Sequence, residues 1–295
     1  MIVTPRPAFL WRFATRSLML GESTRIAGIL NVTPDSFSDG GRFLSHQAAV
    51  EHGLRLLDEG ADILDIGGES TRPGARPAVS AGEELDRVLP VIASLKKARP
   101  DCVLSIDTYK AEVARQAVAA GAEIVNDVSG FLWDPAMAAM CAALRCGVIL
   151  MHTRGTMAEW PSLPPLPAAS IVQRVVAELA ERAAVAEAAG VERERIVLDP
   201  GFGFGKRGAE NYVLLAGLGE LHGLGYPLLA GTSRKSFLRG PATGSGHAAV
   251  DRLPGTLATV TASILAGAHI VRVHDVLACR EAAAAADAIR RAAGV

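Results

Sequence analysis

The chain is poor in the features that most often announce a function. Aromatic residues make up 5% of its 295 positions, and it has four cysteines, Cys102, Cys141, Cys146 and Cys279. No two of these form a CxxC pair, and most sit among apolar neighbours. That excludes a disulfide scaffold and points to core thiols in a reducing, cytoplasmic setting. No apolar run reaches the ~18 residues of a membrane helix, and no secretory signal is read in the first residues. Thirty basic against 31 acidic side chains leave a net charge of −1, so no basic surplus points to nucleic acid or an anionic membrane. The seven histidines show neither HExxH nor clustered spacing, which argues against zinc. "GFGFGKRG", from Gly201, lacks the GxxxxGK[ST] spacing of a phosphate loop, and as GxGxG it is not the dinucleotide fingerprint. Its glycines read as a place where the backbone passes close to a flat ligand, with Phe202 or Phe204 beside it.

What the chain does have is a regular alternation. Short apolar runs at 26–30, 63–66, 103–106, 124–126, 148–151, 196–199, 228–230 and 270–273 are separated by Ala-, Leu-, Glu- and Arg-rich stretches. Such runs fit parallel strands buried on both faces, and the alternation calls for βαβ units. "GADILDI", "GAEIVND" and "GAHIVRV", starting at Gly60, Gly121 and Gly267, repeat one device: a glycine ends a helix and a strand begins two residues later. The first such helix reads as capped by Ser45, striped by Val50, Leu54 and Leu57, and stopped by Gly60. Eight units without a break in composition predict a single (β/α)8 TIM barrel over 21–295, with an open doubly wound sheet as the alternative. Residues 1–20 read as a disordered, Arg-containing tip followed by a short β-hairpin, Phe9–Phe13 and Ser17–Leu20. "WPSLPPLP", Trp160 to Pro167, reads as a stiff excursion after the fifth barrel strand. The Ala-rich end reads as a closing helix.

In such a barrel the active site forms at the C-terminal ends of the strands. Taken in turn, those ends offer Asn31, the segment "GGESTRPGA", Asp107, Asn126 with Asp127, Met151 with His152, Asp199, "GTSRKSF" and "RVHD". Asp107, Asn126 and Asp199 lie on separate strands that share one mouth. Two carboxylates and an amide in a confined pocket match a ligand rich in N–H donors, such as a fused amino-heterocycle, and Lys235 adds a donor for a ring carbonyl or nitrogen. Ser70, Thr71, Arg72, Arg272 and His274 form a second set suited to an anion. A magnesium ion held by Asn31 and substrate phosphates is consistent with the few protein ligands that ion keeps.

The motifs "GILNVTPDSFSDGG", "DIGGESTRPGA", "SIDT", "NDVSG", "LMH", "LDPGFGFGK", "GTSRKSF" and "RVHDV" occur in this order. Together they resemble the dihydropteroate synthases of folate biosynthesis, from about Gly28 to about Val276. The resemblance implies a (β/α)8 barrel that joins 6-hydroxymethyl-7,8-dihydropterin pyrophosphate to 4-aminobenzoate. It implies that Asp107, Asn126, Asp199, Lys235, Met151 and Gly231 hold the pterin. Asn31 would bind Mg2+, and Thr71, Arg72, Arg272 and His274 would meet the pyrophosphate. Phe37, Pro73, Phe204 and Ser236 would border the aminobenzoate site, where sulfonamides compete. Asp107, Asp199, Lys235 and Asp35 would serve the chemistry, and the family's usual homodimer is expected. One departure stands out: after "LMH" this chain has Thr153-Arg154-Gly155 where the family usually has Met-Gln-Gly. The competing readings are a pterin-dependent methyltransferase domain and a non-catalytic paralogue. Arg72 and the "NVTPDSFSDGG" loop weigh against the first, and the filled strand-end positions weigh against the second.

The opening motif then divides in two. Strand one ends at Asn31, and the rest reads as a lid with Thr33-Pro34 at its near end and a Gly40-Gly41 hinge at its far end. Asp35 and Ser36 would support charge and proton transfer, and Phe37 would cover the aminobenzoate ring. Phe37→Ala is therefore expected to raise the aminobenzoate KM far more than it weakens pterin binding. Steady-state kinetics and pterin titration check this; equal effects on both would count against the lid.

Overall fold

The computed structural model describes residues 3–33, 42–70, 79–238 and 252–295. Its eight barrel strands are β3 (Arg25–Asn31), β4 (Ile63–Gly67), β5 (Val103–Asp107), β6 (Ile124–Asp127), β7 (Gly147–Met151), β8 (Ile196–Asp199), β9 (Leu229–Ala230) and β10 (Ile270–Val273). They form one parallel sheet in the order β8-β7-β6-β5-β4-β3-β10-β9. A parallel bridge between Leu198 and Leu228, with the Leu198 amide donating to Pro227 O at 3.0 Å, joins the two ends into a barrel. Around it lie α1 (Arg42–Asp58), α2 (Ala81–Ala98), α3 (Ala111–Ala119), α4 (Met137–Leu144), α5 (Ile171–Ala188), α6 (Glu210–Ala216), α7 (Leu253–Leu265) and α8 (Val276–Ala292). The barrel expected from the alternation is the one observed.

Two alternating sets of side chains explain why the strands look uniformly apolar. One set, including Leu30, Ile66, Ile106, Val125, Leu150 and Leu198, packs outward on helix residues such as Val88, Ile92 and Leu95. The other set faces inward. Its lowest layer is Ala27, Ile63, Val103, Ile124, Ile149, Val197, Leu229 and Ile270, which form one cluster with Trp11, Phe13 and Leu20. Those three belong to the N-terminal antiparallel hairpin, β1 (Phe9–Arg12) and β2 (Ser17–Leu20), and its adjoining turn. The hairpin is thus an apolar stopper for the N-terminal end of the barrel. The Trp11 indole also donates to Arg195 O at 2.8 Å. Glycines at the helix ends take left-handed conformations, with φ of +98° at Gly60, +117° at Gly121 and +97° at Gly267, as the repeat requires.

Two expectations are overturned. The N-terminal tip is not loose from residue 3 onward: the Thr4 amide donates to Leu265 O at 2.9 Å. The Arg6 guanidinium, with a side chain 1% exposed, pairs with Asp287 at 2.9 Å and reaches Thr24, Ala268 O and Gly21 O. A guanidinium whose three nitrogens all find acceptors in this way offsets the entropy of ordering the tip. The helix α1 begins at Arg42, so Ser45 lies inside its first turn and not at its N-cap. A cap of the expected kind occurs on α2, where Ser80 Oγ accepts from the Glu83 amide at 3.2 Å.

Because Trp11 is fully buried against the lowest barrel layer, Trp11→Ala is expected to cost about 3–5 kcal/mol of unfolding free energy. Urea denaturation measures it, and a loss near zero would show that the hairpin is not part of the barrel core.

Candidate active site

Above the apolar stopper the inward-facing set turns polar. Register places Asp65 beside Ser105, and Gly67 between Asn31 and Asp107, with Asn126 next in line. On the other side Met151 pairs with Asp199. The two glycines of this layer leave room beside charged groups. A Cβ on Gly67 would lie 3.6 Å from Asp107 Cβ and 3.8 Å from Asn31 Oδ1, and one on Gly231 would lie 3.8 Å from Arg272 Cβ and 3.9 Å from Asp199 Oδ2. Asn31, Asp107, Asp199, Gly231 and Arg272 therefore surround one mouth, with Asn126 on the strand beside Asp107.

The mouth is organised by Arg272. Its Nε donates to Asp65 Oδ2 at 2.5 Å and its Nη2 to Asp107 Oδ2 at 2.6 Å, while Asn126 Nδ2 donates to the same Asp65 oxygen at 2.9 Å. Asp65, 2% exposed, keeps its other oxygen, Oδ1, without a hydrogen bond. The sequence reading missed Asp65. Its one signal was the period of two in "ILDIG", which puts Asp65 and Gly67 on the same face. Arg272 was expected on the pyrophosphate side; in the structure its guanidinium joins two carboxylates. One guanidinium for two carboxylates leaves a surplus negative charge. Burial and the negative charge of Asp65 accordingly push Asp107 up to about 7, against the opposing pull of Arg272. Burial also raises Asp199, opposed by the Gly201 amide, which donates to its Oδ1 at 2.7 Å, and by Lys235.

Two aromatic residues, Trp160 and Phe204, stand on one side of this mouth. Phe204, Trp160, Met151 and Val128 form a separate apolar cluster. The Lys235 ammonium stands 3.8 Å from the centroid of the Phe204 ring, and Trp160 meets that ring edge-on at 5.3 Å. Phe202 packs instead into the outer core beside Phe237, so Phe204 is the aromatic residue that lines the site. The close approach made at Gly201 is to protein, not to open space: a Cβ there would lie 2.0 Å from His152 O. The stiff excursion folds over this loop, with Arg154 donating to Gly205 O and Pro164 O, and Arg207 to Pro161 O at 2.6 Å. The atypical Arg154 is thus a tie between two loops. His152 points away from the mouth, with Nε2 3.0 Å from Glu178 Oε2.

On the segments that follow β10 and β9, His274 Nδ1 lies 3.0 Å from Ser233 Oγ, and Ser236 is exposed at the rim. The ends of β4 and β10 flank that of β3, so Ser70, Arg272 and His274 are on neighbouring sectors of the rim. Asp35, Phe37, Thr71, Arg72 and Pro73 lie outside the described residues.

A closed barrel with inward carboxylates, an amide and a guanidinium below a rim of cationic and aromatic groups is the architecture of a pterin-binding barrel. The family model described as "Pterin binding enzyme" matches residues 27–274. The dihydropteroate synthase of Clostridium beijerinckii is 43% identical over 281 residues, covering 95% of this chain and 99% of the relative. A probable bifunctional folylpolyglutamate synthase/dihydropteroate synthase of Halobacterium salinarum is 49% identical over 261 residues, but this chain spans only 30% of its length. Among solved structures, the Xanthomonas albilineans dihydropteroate synthase with 4-aminobenzoic acid superposes with a TM-score of 0.87 at 46% identity, covering 96% of this chain and 99% of that one. The chain belongs to the pterin-binding enzyme family. The members it resembles here are dihydropteroate synthases.

The Asp107 assignment has a pH consequence. Its folded-state pKa of about 7 stands above the usual carboxylate value, so the folded chain holds a proton that the unfolded chain has released. Between pH ~4 and ~7 the contribution of Asp107 to stability falls as pH rises, by at most about 1.4 kcal/mol per unit. Asp107→Asn cannot ionise and is expected to lose less stability between pH 5 and 7 than the parent protein in urea titrations. Equal losses would put the proton elsewhere in the cluster.

Proposed function

We infer that the chain condenses 6-hydroxymethyl-7,8-dihydropterin pyrophosphate with 4-aminobenzoate, giving 7,8-dihydropteroate and pyrophosphate. The observation that carries this reading is the buried set of Asp65, Asp107, Asn126, Asp199 and Arg272 in one mouth. It offers fixed acceptors and donors to a flat, N–H-rich ring at the depth where water is scarce. Its relatives' names and the barrel that binds 4-aminobenzoic acid support the same reaction.

The division of labour follows from position. Asn126, Asp199 and Lys235 would orient the pterin, with Met151 as an apolar floor and Gly231 leaving room. Departure of pyrophosphate leaves positive charge on the pterin methylene, spread over the ring. Asp107 and Asp199 face that charge. An ionised carboxylate at this depth interacts most strongly with a cation that develops beside it, so the stabilisation is greatest at the transition state. With Arg272 committed to Asp65 and Asp107, His274, Thr71 and Arg72 would meet the departing phosphates, and Phe204, Ser236, Phe37 and Pro73 would border the amine. The aniline nitrogen attacks the methylene and then loses a proton. No covalent protein nucleophile is required. Asp35 would serve proton transfer.

Asn31 fits a magnesium ion. Its amide oxygen stands at the mouth beside Asp107, and no group of three or more acidic, histidine or cysteine ligands that could cage a metal occurs among the described residues. A single hard oxygen with substrate phosphates as further ligands is how this ion is often held. Bound so, it would supply charge neutralisation on the leaving group. The homodimer, sulfonamide competition at the aminobenzoate site and a cytoplasmic setting belong to the same proposal. The four free thiols accord with the last, and no helix among the described residues is long and apolar enough to cross a membrane.

A coupled pyrophosphate-release assay with both substrates tests the reaction. Release that depends on both is expected, and Asp107→Asn should lose most of it while folding normally. Near parental turnover in that variant would remove Asp107 from the chemistry. Absence of release with the pterin still bound would favour the non-catalytic paralogue, and methyl transfer would favour the methyltransferase.

A further inference from the structure

Lys206 ends the run "GFGFGK" and has no part in the reaction derived above. It is 4% exposed. Its ammonium donates to three backbone carbonyls, Gly201 O at 2.8 Å and His152 O and Phe204 O at 3.3 Å each. A buried ammonium is costly unless each of its three protons is met, and here three acceptors are provided. Burial lowers its pKa to about 7, with the Asp199 carboxylate opposing the fall. The acceptors come from separate places: His152 follows β7, Gly201 follows β8, and Phe204 lies at the far end of the turn.

These places do not depend on Lys206 equally. Asp199 is fixed by its strand and by the Gly201 amide, and Gly201 is wedged in a left-handed conformation against His152. The Phe204 ring is packed against Trp160, Met151 and Val128, but its backbone has few ties. Its amide reaches Gly201 O at 3.2 Å, and its carbonyl rests on Lys206. Yet its ring supports the Lys235 ammonium at 3.8 Å.

We propose that Lys206 is a positioning residue for the amine substrate, fixing the Gly201–Phe204 turn so that the Phe204 ring faces the aminobenzoate. This deepens the reaction proposed above and rests on it. The pterin end of the site keeps its own anchors, the strand that carries Asp199 and the Gly201 amide that donates to it.

The test is steady-state pyrophosphate release by the parent protein, Lys206→Met and Lys206→Gln, varying each substrate in turn. Lys206→Met is expected to raise the aminobenzoate KM about tenfold while the pterin pyrophosphate KM stays within about twofold. Lys206→Gln retains two donors and is expected to recover part of the loss. Adding Phe204→Leu to Lys206→Met should raise the aminobenzoate KM little beyond the larger single effect, since both act on one wall. If both KM values move together, if neither moves, or if Gln does no better than Met, Lys206 is only a strut and the proposal fails. Should Lys206→Met not fold, the Gln variant decides: an aminobenzoate KM raised about threefold at unchanged pterin KM supports the role, and no split overturns it. A parent protein that releases no pyrophosphate overturns the reaction itself and this role with it.

Discussion

A single guanidinium, Arg272, lies inside the barrel between two carboxylates that could not otherwise be tolerated there. Asp65 and Asp107 both rest on it, and Asn126 completes the set by donating to Asp65. Isolated charges at this depth would cost several kcal/mol each; shared and hydrogen-bonded, they persist. The arrangement is deliberately short of positive charge. It leaves a pocket that is electrostatically unfinished, and a ring bearing N–H donors and a developing cation would complete it. The rest of the molecule can be understood as what keeps this cluster dry, fixed and open on one side.

The hydrophobic part of that task is divided in two. Outward strand residues bind the helices, while the lowest inward layer closes on Trp11, Phe13 and Leu20 of the hairpin. The hairpin is itself held by a tip whose Arg6 reaches Asp287 near the other end of the chain. Chain termini are usually the loosest part of a domain. Here a buried ion pair ties the segment around Arg6 into the fold, and the apolar floor above it keeps water from reaching the charged layer from below.

How much of this could be read from the sequence depended on whether a residue interrupts a pattern. Asp107, Asn126 and Asp199 stand at the ends of apolar runs, where a polar group is conspicuous, and the structure sets them at the barrel mouth. Asp65 sits within a run buried on both faces, so its direction emerges only once the register with β3 and β5 is known. Arg6 finds its partner 281 positions away, and no local signal marks that pairing. Lys206 was hidden for another reason: its acceptors are backbone carbonyls, which carry no residue identity. Ser45 shows the opposite error, since a residue chemically able to cap a helix was taken for its start although the helix runs one turn further back.

The stopper has a consequence for traffic. A barrel closed at its floor has one doorway, and molecules that use it must queue. Whatever binds the Asp65–Asp107–Asn126 layer lies deepest, and a partner seated against Phe204 nearer the rim would stand in its way out. The deeper guest must arrive before the shallower one, and a product spanning both positions must clear the rim before the next turn begins. An order of events would then be written into the architecture by a tryptophan at the far end of the molecule, which touches none of the reacting groups.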